Sequence, residues 1–151
     1  LNGSGTAWCR YGWNRAVADV HQKFIPAATA ANINSTPSNY PWWLDVETTN
    51  SWESGSSDAL TRNRVDLEAM VTYFHSLNIT VGIYSTNYQW GQIIGSVPSD
   101  SNLIGLPNWR PGATDLAQAQ TYCSILSPLT AGGTISMTQY TTNFDYNYSC
   151  L

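Results

Sequence analysis

Apolar residues recur along the chain with two spacings, one typical of helices and one typical of strands. The first helical pattern begins after Asn14, a suitable cap, and is predicted to end at Pro26. The clearest helix is predicted to open at Ser57, with shorter helices at 88–95 and after Thr114. Four strands are predicted, at residues 40–47, 81–86, 103–109 and 134–141. Because helices separate these strands, the pattern indicates parallel pairing in an α/β fold.

The number of elements restricts the architecture of this fold. The 151 residues are predicted to form one domain, 1–151. Four strands are about half of an eight-stranded barrel, which normally takes ~200 to 250 residues. The chain is therefore either an open doubly wound sheet or a partial, irregular (β/α) barrel that lacks its first strands. The helix-first order favours the partial barrel.

The first predicted strand carries the most distinctive candidate chemistry. It ends in two acids, Asp45 and Glu47, which share a strand face with Trp43. Acids at the end of a buried strand cost desolvation energy, and the carboxyl ends of strands are where α/β folds carry active sites. This pattern predicts a sugar-cleaving or sugar-binding site. In the alternative interpretation, both acids lie past the strand and cap the polar loop that follows.

Composition excludes several other classes of protein. Only six residues are Lys or Arg and the formal charge is −4, which argues against a nucleic-acid partner. No apolar run reaches the ~20 residues of a membrane span. His21 and His75 lie on different predicted helices, so neither a metal site nor a cofactor is expected. A serine-hydrolase elbow of the form Gly-x-Ser-x-Gly is also missing from the sequence.

Low charge and abundant aromatic, hydroxyl and amide residues are typical of secreted, carbohydrate-active proteins. Four glycosylation sequons begin at Asn2, Asn34, Asn78 and Asn147. Chance alone gives about three, so the sequons permit glycosylation without establishing it. Asn34 and Asn78 stand in polar turns and are the predicted glycan sites of an extracellular glycoprotein.

The three cysteines extend this prediction. A Cys123–Cys150 disulfide would tie the last helix to the C-terminal residues and leave Cys9 unpaired. The unpaired Cys9 suggests a partner cysteine on a missing N-terminal segment. The alternative is three reduced, buried thiols in a cytosolic protein.

Three segments occur in an order that resembles a known family: Leu44-Asp45-Val46-Glu47, Val81-Gly82-Ile83-Tyr84-Ser85, and Thr138-Gln139-Tyr140-Thr141 followed by Asp145-Tyr146-Asn147. They resemble the lysozyme-type family 25 glycoside hydrolases, and more closely their secreted lysozyme-like relatives. The resemblance implies an irregular β/α barrel that hydrolyses peptidoglycan, a polysaccharide substrate.

The resemblance also implies roles for individual residues. Glu47 would be the general acid, and Asp45 would stabilise the oxocarbenium-like transition state or orient the reacting group. The groove would be lined by Tyr84, Gln139, Tyr140 and Asp145, and strand parity adds Trp43 and Trp109 as sugar-stacking aromatics. The sequence departs from the family in two ways. The Asp expected on the first barrel strand has no counterpart before the first predicted helix. In the segment Asp145-Tyr146-Asn147, the last polar residue is an amide, Asn147, which also begins a glycosylation sequon.

Three functions follow from these features. The first is a secreted glycosidase of lysozyme type. The second is a sugar-binding module with reduced catalysis on the same scaffold. The third is an extracellular structural glycoprotein that assembles with copies of itself.

Overall fold

The computed structural model describes residues 3–151 and confirms an α/β fold. The helices are α1 (Gly3–Ala18), α2 (Ile25–Ala30), α3 (Ser57–Ser76), α4 (Asn87–Ile93) and α5 (Leu116–Ile125). The strands are β1 (Trp42–Asp45), β2 (Val81–Tyr84), β3 (Pro107–Ala113), β4 (Thr134–Thr141) and β5 (Asp145–Ser149).

The five strands form one sheet in which chain order and spatial order are the same, β1-β2-β3-β4-β5. The first four strands are parallel, and β5 returns antiparallel to β4. The sheet therefore lacks the reversal of strand order that defines a doubly wound fold. Because β1 to β4 are parallel, their carboxyl ends lie at one edge of the sheet.

The two faces of the sheet differ sharply. Leu44 and Ile83 are buried on the face that forms the main hydrophobic core with α3. Trp43 and Tyr84, which alternate with them, lie on the opposite face and are only partly buried. The second face, which we call the open face, is therefore the one that can carry a functional site.

The first helix begins earlier and the helical segment ends later than the sequence predicts. Asn14 lies inside α1, and Pro26 does not stop the chain, because a π-helical turn at Asp19–Phe24 leads directly into α2. Pro26 stands in the first turn of α2, where a helix needs no backbone donor.

The third strand is also displaced from its predicted position, and a fifth strand was not predicted. Leu103 is fully buried but lies in a turn, so its apolar character reflects the core. Pro107 opens β3 as its first residue, where proline is tolerated. The prediction missed β5 because Asp145–Ser149 is mostly exposed and lacks β-branched residues.

The cysteines adopt the predicted arrangement. Cys123 and Cys150 form a disulfide with a Cα–Cα distance of 5.5 Å, which ties α5 to the end of β5. Cys9 is exposed on α1 and has no disulfide partner within residues 3–151. None of the described helices is long and apolar enough to span a bilayer.

Candidate functional site

The two acids stand at the carboxyl end of β1, one within the strand and one just beyond it. Asp45 is the last residue of β1, and Glu47 follows two residues later. The Val46 N–H donates to the Tyr84 carbonyl at 2.9 Å, which continues the β1–β2 ladder past Asp45. Val46 is fully buried between the exposed Asp45 and the half-buried Glu47. Strand alternation thus persists to Glu47 and brings both acids to the open face.

The neighbours of Glu47 favour its protonated form. Burial raises the pKa of the Glu47 carboxyl, and the charge of Asp45, a side-chain hydrogen bond with Asp45 and the charge of Asp145 raise it further. A hydrogen bond from Gln89 acts in the opposite direction. A raised pKa beside a second acid of the same site is the shift that a general acid requires.

Tyr84 connects the acid pair on the β1 side of the sheet to β4, the strand on the other side of β3. Its hydroxyl donates to Gln139 Oε1 at 2.7 Å, although β3 lies between their two strands. Burial, followed by the charges of Glu47, Asp145 and Asp45, raises the pKa of Tyr84 to about 12. Tyr84 therefore remains a hydrogen-bond donor at neutral pH.

Aromatic rings form the floor of the site. The ring of Trp43 packs edge-on against Trp109 at a centroid distance of 5.6 Å, and Trp109 packs against Tyr84 at 5.0 Å. Trp43 lies directly over Gly82, where a Cβ atom would overlap the indole ring. The Trp109 Nε1 is buried and makes no hydrogen bond within the described chain. Such a floor offers apolar surface to a sugar ring.

The β4–β5 hairpin supplies one rim of the site. Asn147 Oδ1 accepts a hydrogen bond from Gln139 Nε2 at 3.4 Å, and the exposed Asp145 accepts one from Thr141. Tyr140, in contrast, is not brought into the site. It stacks on Tyr146 at 5.3 Å on the opposite, helix-facing side, because one strand position separates it from Gln139.

Three residues near the acids were missed by the sequence prediction. The side chain of Asn50 donates to Asp45 Oδ2 at 3.2 Å, and the indole of Trp52 donates to the Glu47 carbonyl at 2.9 Å. The third, Gln89, belongs to the capping box of α4. Gln89 was the only one with a usable signal, because Thr86 and Gln89 have the spacing of a capping box.

A cleft of about 650 Å³ lies beside the outer edge of β1 and adjoins Asp45. Its lining combines aromatic and polar side chains, among them Tyr11, Arg15, Asn50, Trp52 and Asp66.

No group of three or more potential metal-ligating side chains occurs within residues 3–151. The open face therefore combines carboxylates, amides and aromatic rings, which are groups that suit a neutral, hydroxyl-rich ligand.

Comparison with known proteins agrees with this chemistry. The family model described as lysozyme-like protein 1 matches residues 21–110, which include Asp45, Glu47, Tyr84 and Trp109. No curated protein and no solved structure matches the chain significantly. Since the matched segment spans more than half of the sequence, the chain belongs to the lysozyme-like protein 1 family.

Proposed function

We propose that the chain is a lysozyme-type glycosidase domain, related to the family 25 glycoside hydrolases, that cleaves a peptidoglycan-like polysaccharide. The observation that carries the proposal is the raised pKa of Glu47 beside Asp45 at the carboxyl end of a parallel strand. Glycoside cleavage requires one protonated and one ionised carboxyl on the same site. This site places two carboxyls side by side, and its surroundings favour a proton on Glu47.

In the proposed reaction, Glu47 donates a proton to the glycosidic oxygen as the bond to the sugar breaks. Asp45 stabilises the positive charge that develops on the sugar ring, and a water molecule then adds to the anomeric carbon and loses a proton to give the new reducing end. Same-side strand neighbours have Cα atoms ~6 to 7 Å apart, a spacing compatible with retention or with assistance from the substrate. Trp43 and Trp109 would hold the sugar ring, while Tyr84, Gln139 and Asp145 would bind its polar groups.

We also propose that the sheet is part of a barrel. The sequential order of β1 to β4 is that of a singly wound sheet, as in a (β/α) barrel. In a parallel ladder alternate residues bond a given neighbour, so the backbone N–H groups of Trp43 and Asp45 point away from β2. This outer edge of β1 presents N–H groups that another strand would bind, whereas the Asp45 carbonyl already accepts a hydrogen bond from the Asn50 side chain at 3.1 Å. A preceding segment, linked through Cys9, is the proposed source of that strand.

The same edge favours a second candidate function, a structural glycoprotein that assembles with copies of itself. A strand from a second copy would bind the backbone N–H groups of Trp43 and Asp45 equally well. Sedimentation of the chain over a range of concentrations tests this second function. Concentration-dependent oligomers would support the assembling glycoprotein, and a monomer at all concentrations would reject it.

The glycosidase proposal is tested by incubating the purified chain with peptidoglycan. We expect soluble muropeptides with new reducing ends, measured by reducing-sugar assay and mass spectrometry, and none from cellulose oligomers treated in parallel. Binding of muropeptides without cleavage would instead support the sugar-binding module. Neither binding nor cleavage would reject both functions.

We further propose that the protein is extracellular. Asn34 and Asn78 are exposed and lie outside helices and strands, as an N-glycan acceptor requires. After secretion from a eukaryotic cell, peptide mass spectrometry is expected to find a glycan at one or both positions. Asn32, an exposed asparagine outside any sequon, is the matched control. Unmodified Asn34 and Asn78 in secreted material would contradict the prediction.

A further inference from the structure

Arg110 is a buried cation whose side chain has no acidic partner among residues 3–151. It is 2% exposed, and its guanidinium donates to the Ser85 carbonyl at 3.0 Å, the Ser127 carbonyl at 2.7 Å and Asn87 Oδ1 at 3.0 Å. A buried charge is costly, and these three neutral oxygens compensate it only through hydrogen bonds. Arg110 therefore joins β3 to the segments that follow β2 and α5.

Ser85, which binds Arg110 through its carbonyl, also contacts the β1 end directly. Ser85 is fully buried, and its hydroxyl donates to the Val46 carbonyl at 2.7 Å. The Val46 N–H is already bound to the Tyr84 carbonyl. Both backbone groups of Val46 are thus fixed by consecutive residues of the β2 end.

Val46 is the residue that separates the two acids, so its backbone dihedrals set the relative positions of their carboxyls. Regular β1–β2 pairing ends at Asp45 and Tyr84, and the chain turns away soon after Glu47. The Glu47 carbonyl is held separately, by the Asn50 N–H at 3.0 Å and the Trp52 indole at 2.9 Å. Without the Ser85 bond, the Val46 carbonyl would lose its hydrogen bond, and the Val46–Glu47 peptide would be held only through its neighbours.

We propose that Ser85 and Arg110 are positioning residues for the acid pair. Arg110 fixes the Ser85 backbone, and the Ser85 hydroxyl holds the Val46 peptide so that the Asp45 and Glu47 carboxyls remain adjacent. The catalytic consequence of this role rests on the proposed function. Its effect on the positions of the two carboxyls does not depend on that function.

The test is Ser85→Ala, which removes the hydroxyl but leaves the carbonyl that Arg110 binds. We expect the carboxyls to separate and the pKa of Glu47 to fall toward its ordinary value, as measured by ¹³C NMR titration. Burial is the largest cause of this raised pKa; Asp45 and Asp145 raise it further, and Gln89 lowers it. Under the proposed function, kcat is expected to fall by up to about 10²-fold with little change in KM.

Thr130→Val is the matched control for a merely structural effect. Thr130 is also buried, and its hydroxyl also donates to a backbone carbonyl, that of Leu103, at 2.9 Å. This variant should lose similar stability but leave the Glu47 titration unchanged. Ser85→Cys, with a weaker donor, should give a smaller shift than Ser85→Ala and covers the case in which the alanine variant fails to fold.

The two proposals fail in different ways. An unchanged Glu47 titration in the Ser85 variants, or an equal shift in Thr130→Val, would overturn the positioning role even if the chain cleaves peptidoglycan. A shift confined to the Ser85 variants would support that role even if no variant, including the wild type, cleaves anything.

Discussion

Replacing Glu47 with Gln is expected to lower the rate of peptidoglycan cleavage by about 10² to 10⁴-fold, the usual contribution of a general acid. The amide keeps the shape of the carboxyl but has no acidic proton to donate. Muropeptide affinity should stay within about twofold of wild type, since the loss concerns the transition state. Asp45→Asn should reduce the rate by a smaller factor. The measurements are initial rates of reducing-end release and equilibrium binding.

A second readout of Glu47→Gln does not depend on turnover. The negative charge of Glu47 contributes to the raised pKa of Tyr84, so the variant should lower that pKa in an alkaline absorbance titration. Wild-type activity should also decline as the pH rises through the pKa of Glu47, because the proton is then lost. Glu68→Gln, on α3, is the control and should match wild type in both assays. Equal cleavage by wild type and Glu47→Gln would show that the assigned acid is wrong.

Asp66→Asn is expected to stabilise the fold at neutral pH. Burial, partly offset by the charge of Arg15, raises the pKa of Asp66 from 3.8 to about 6. The folded state therefore retains a proton that the unfolded state releases, and stability falls as the pH rises from 3.8 to about 6. A shift of about two pKa units corresponds to at most about 3 kcal/mol. Asn remains neutral and avoids this loss.

Urea unfolding at pH 4 and pH 7 measures the effect. Asp66→Asn should gain about 1–3 kcal/mol over wild type at pH 7 and much less at pH 4. Asp100→Asn, a change to an exposed acid, should show no such difference between the two pH values. If the gain for Asp66→Asn is equal at both pH values, ionisation of Asp66 is not its cause.

Periodicity predicted the elements that bury a continuous face. The alternation of Trp42 to Asp45 identified β1, and the apolar stripe of α3 identified the longest helix. The sequence did not reveal that the helical segment continues through Pro26, because this depends on a π-helical turn without a sequence signature. Exposed β5 was missed because its position depends on pairing with β4 rather than on its own residues.

The candidate site was predicted only where residues lie on regular strands. The family resemblance placed Tyr84, Gln139 and Tyr140 in the groove with Asp45, and the structure joins the side chains of the first two by a hydrogen bond. Strand parity would have separated Tyr140 from Gln139, because adjacent residues of β4 face opposite sides of the sheet. Asn50 and Trp52 reach the acids from a loop, and loop conformation does not follow from periodicity.

The position of Trp43 over Gly82 has an evolutionary consequence. A side chain at position 82 would meet both the indole of Trp43 and the Pro107 carbonyl, and the carbonyl belongs to the backbone and cannot rotate away. Loss of the large ring at position 43 would therefore not make room for a side chain at position 82, because the Pro107 carbonyl would still lie 2.8 Å from the added Cβ atom. Glycine at position 82 should be retained during divergence even in lineages that replace the tryptophan at position 43.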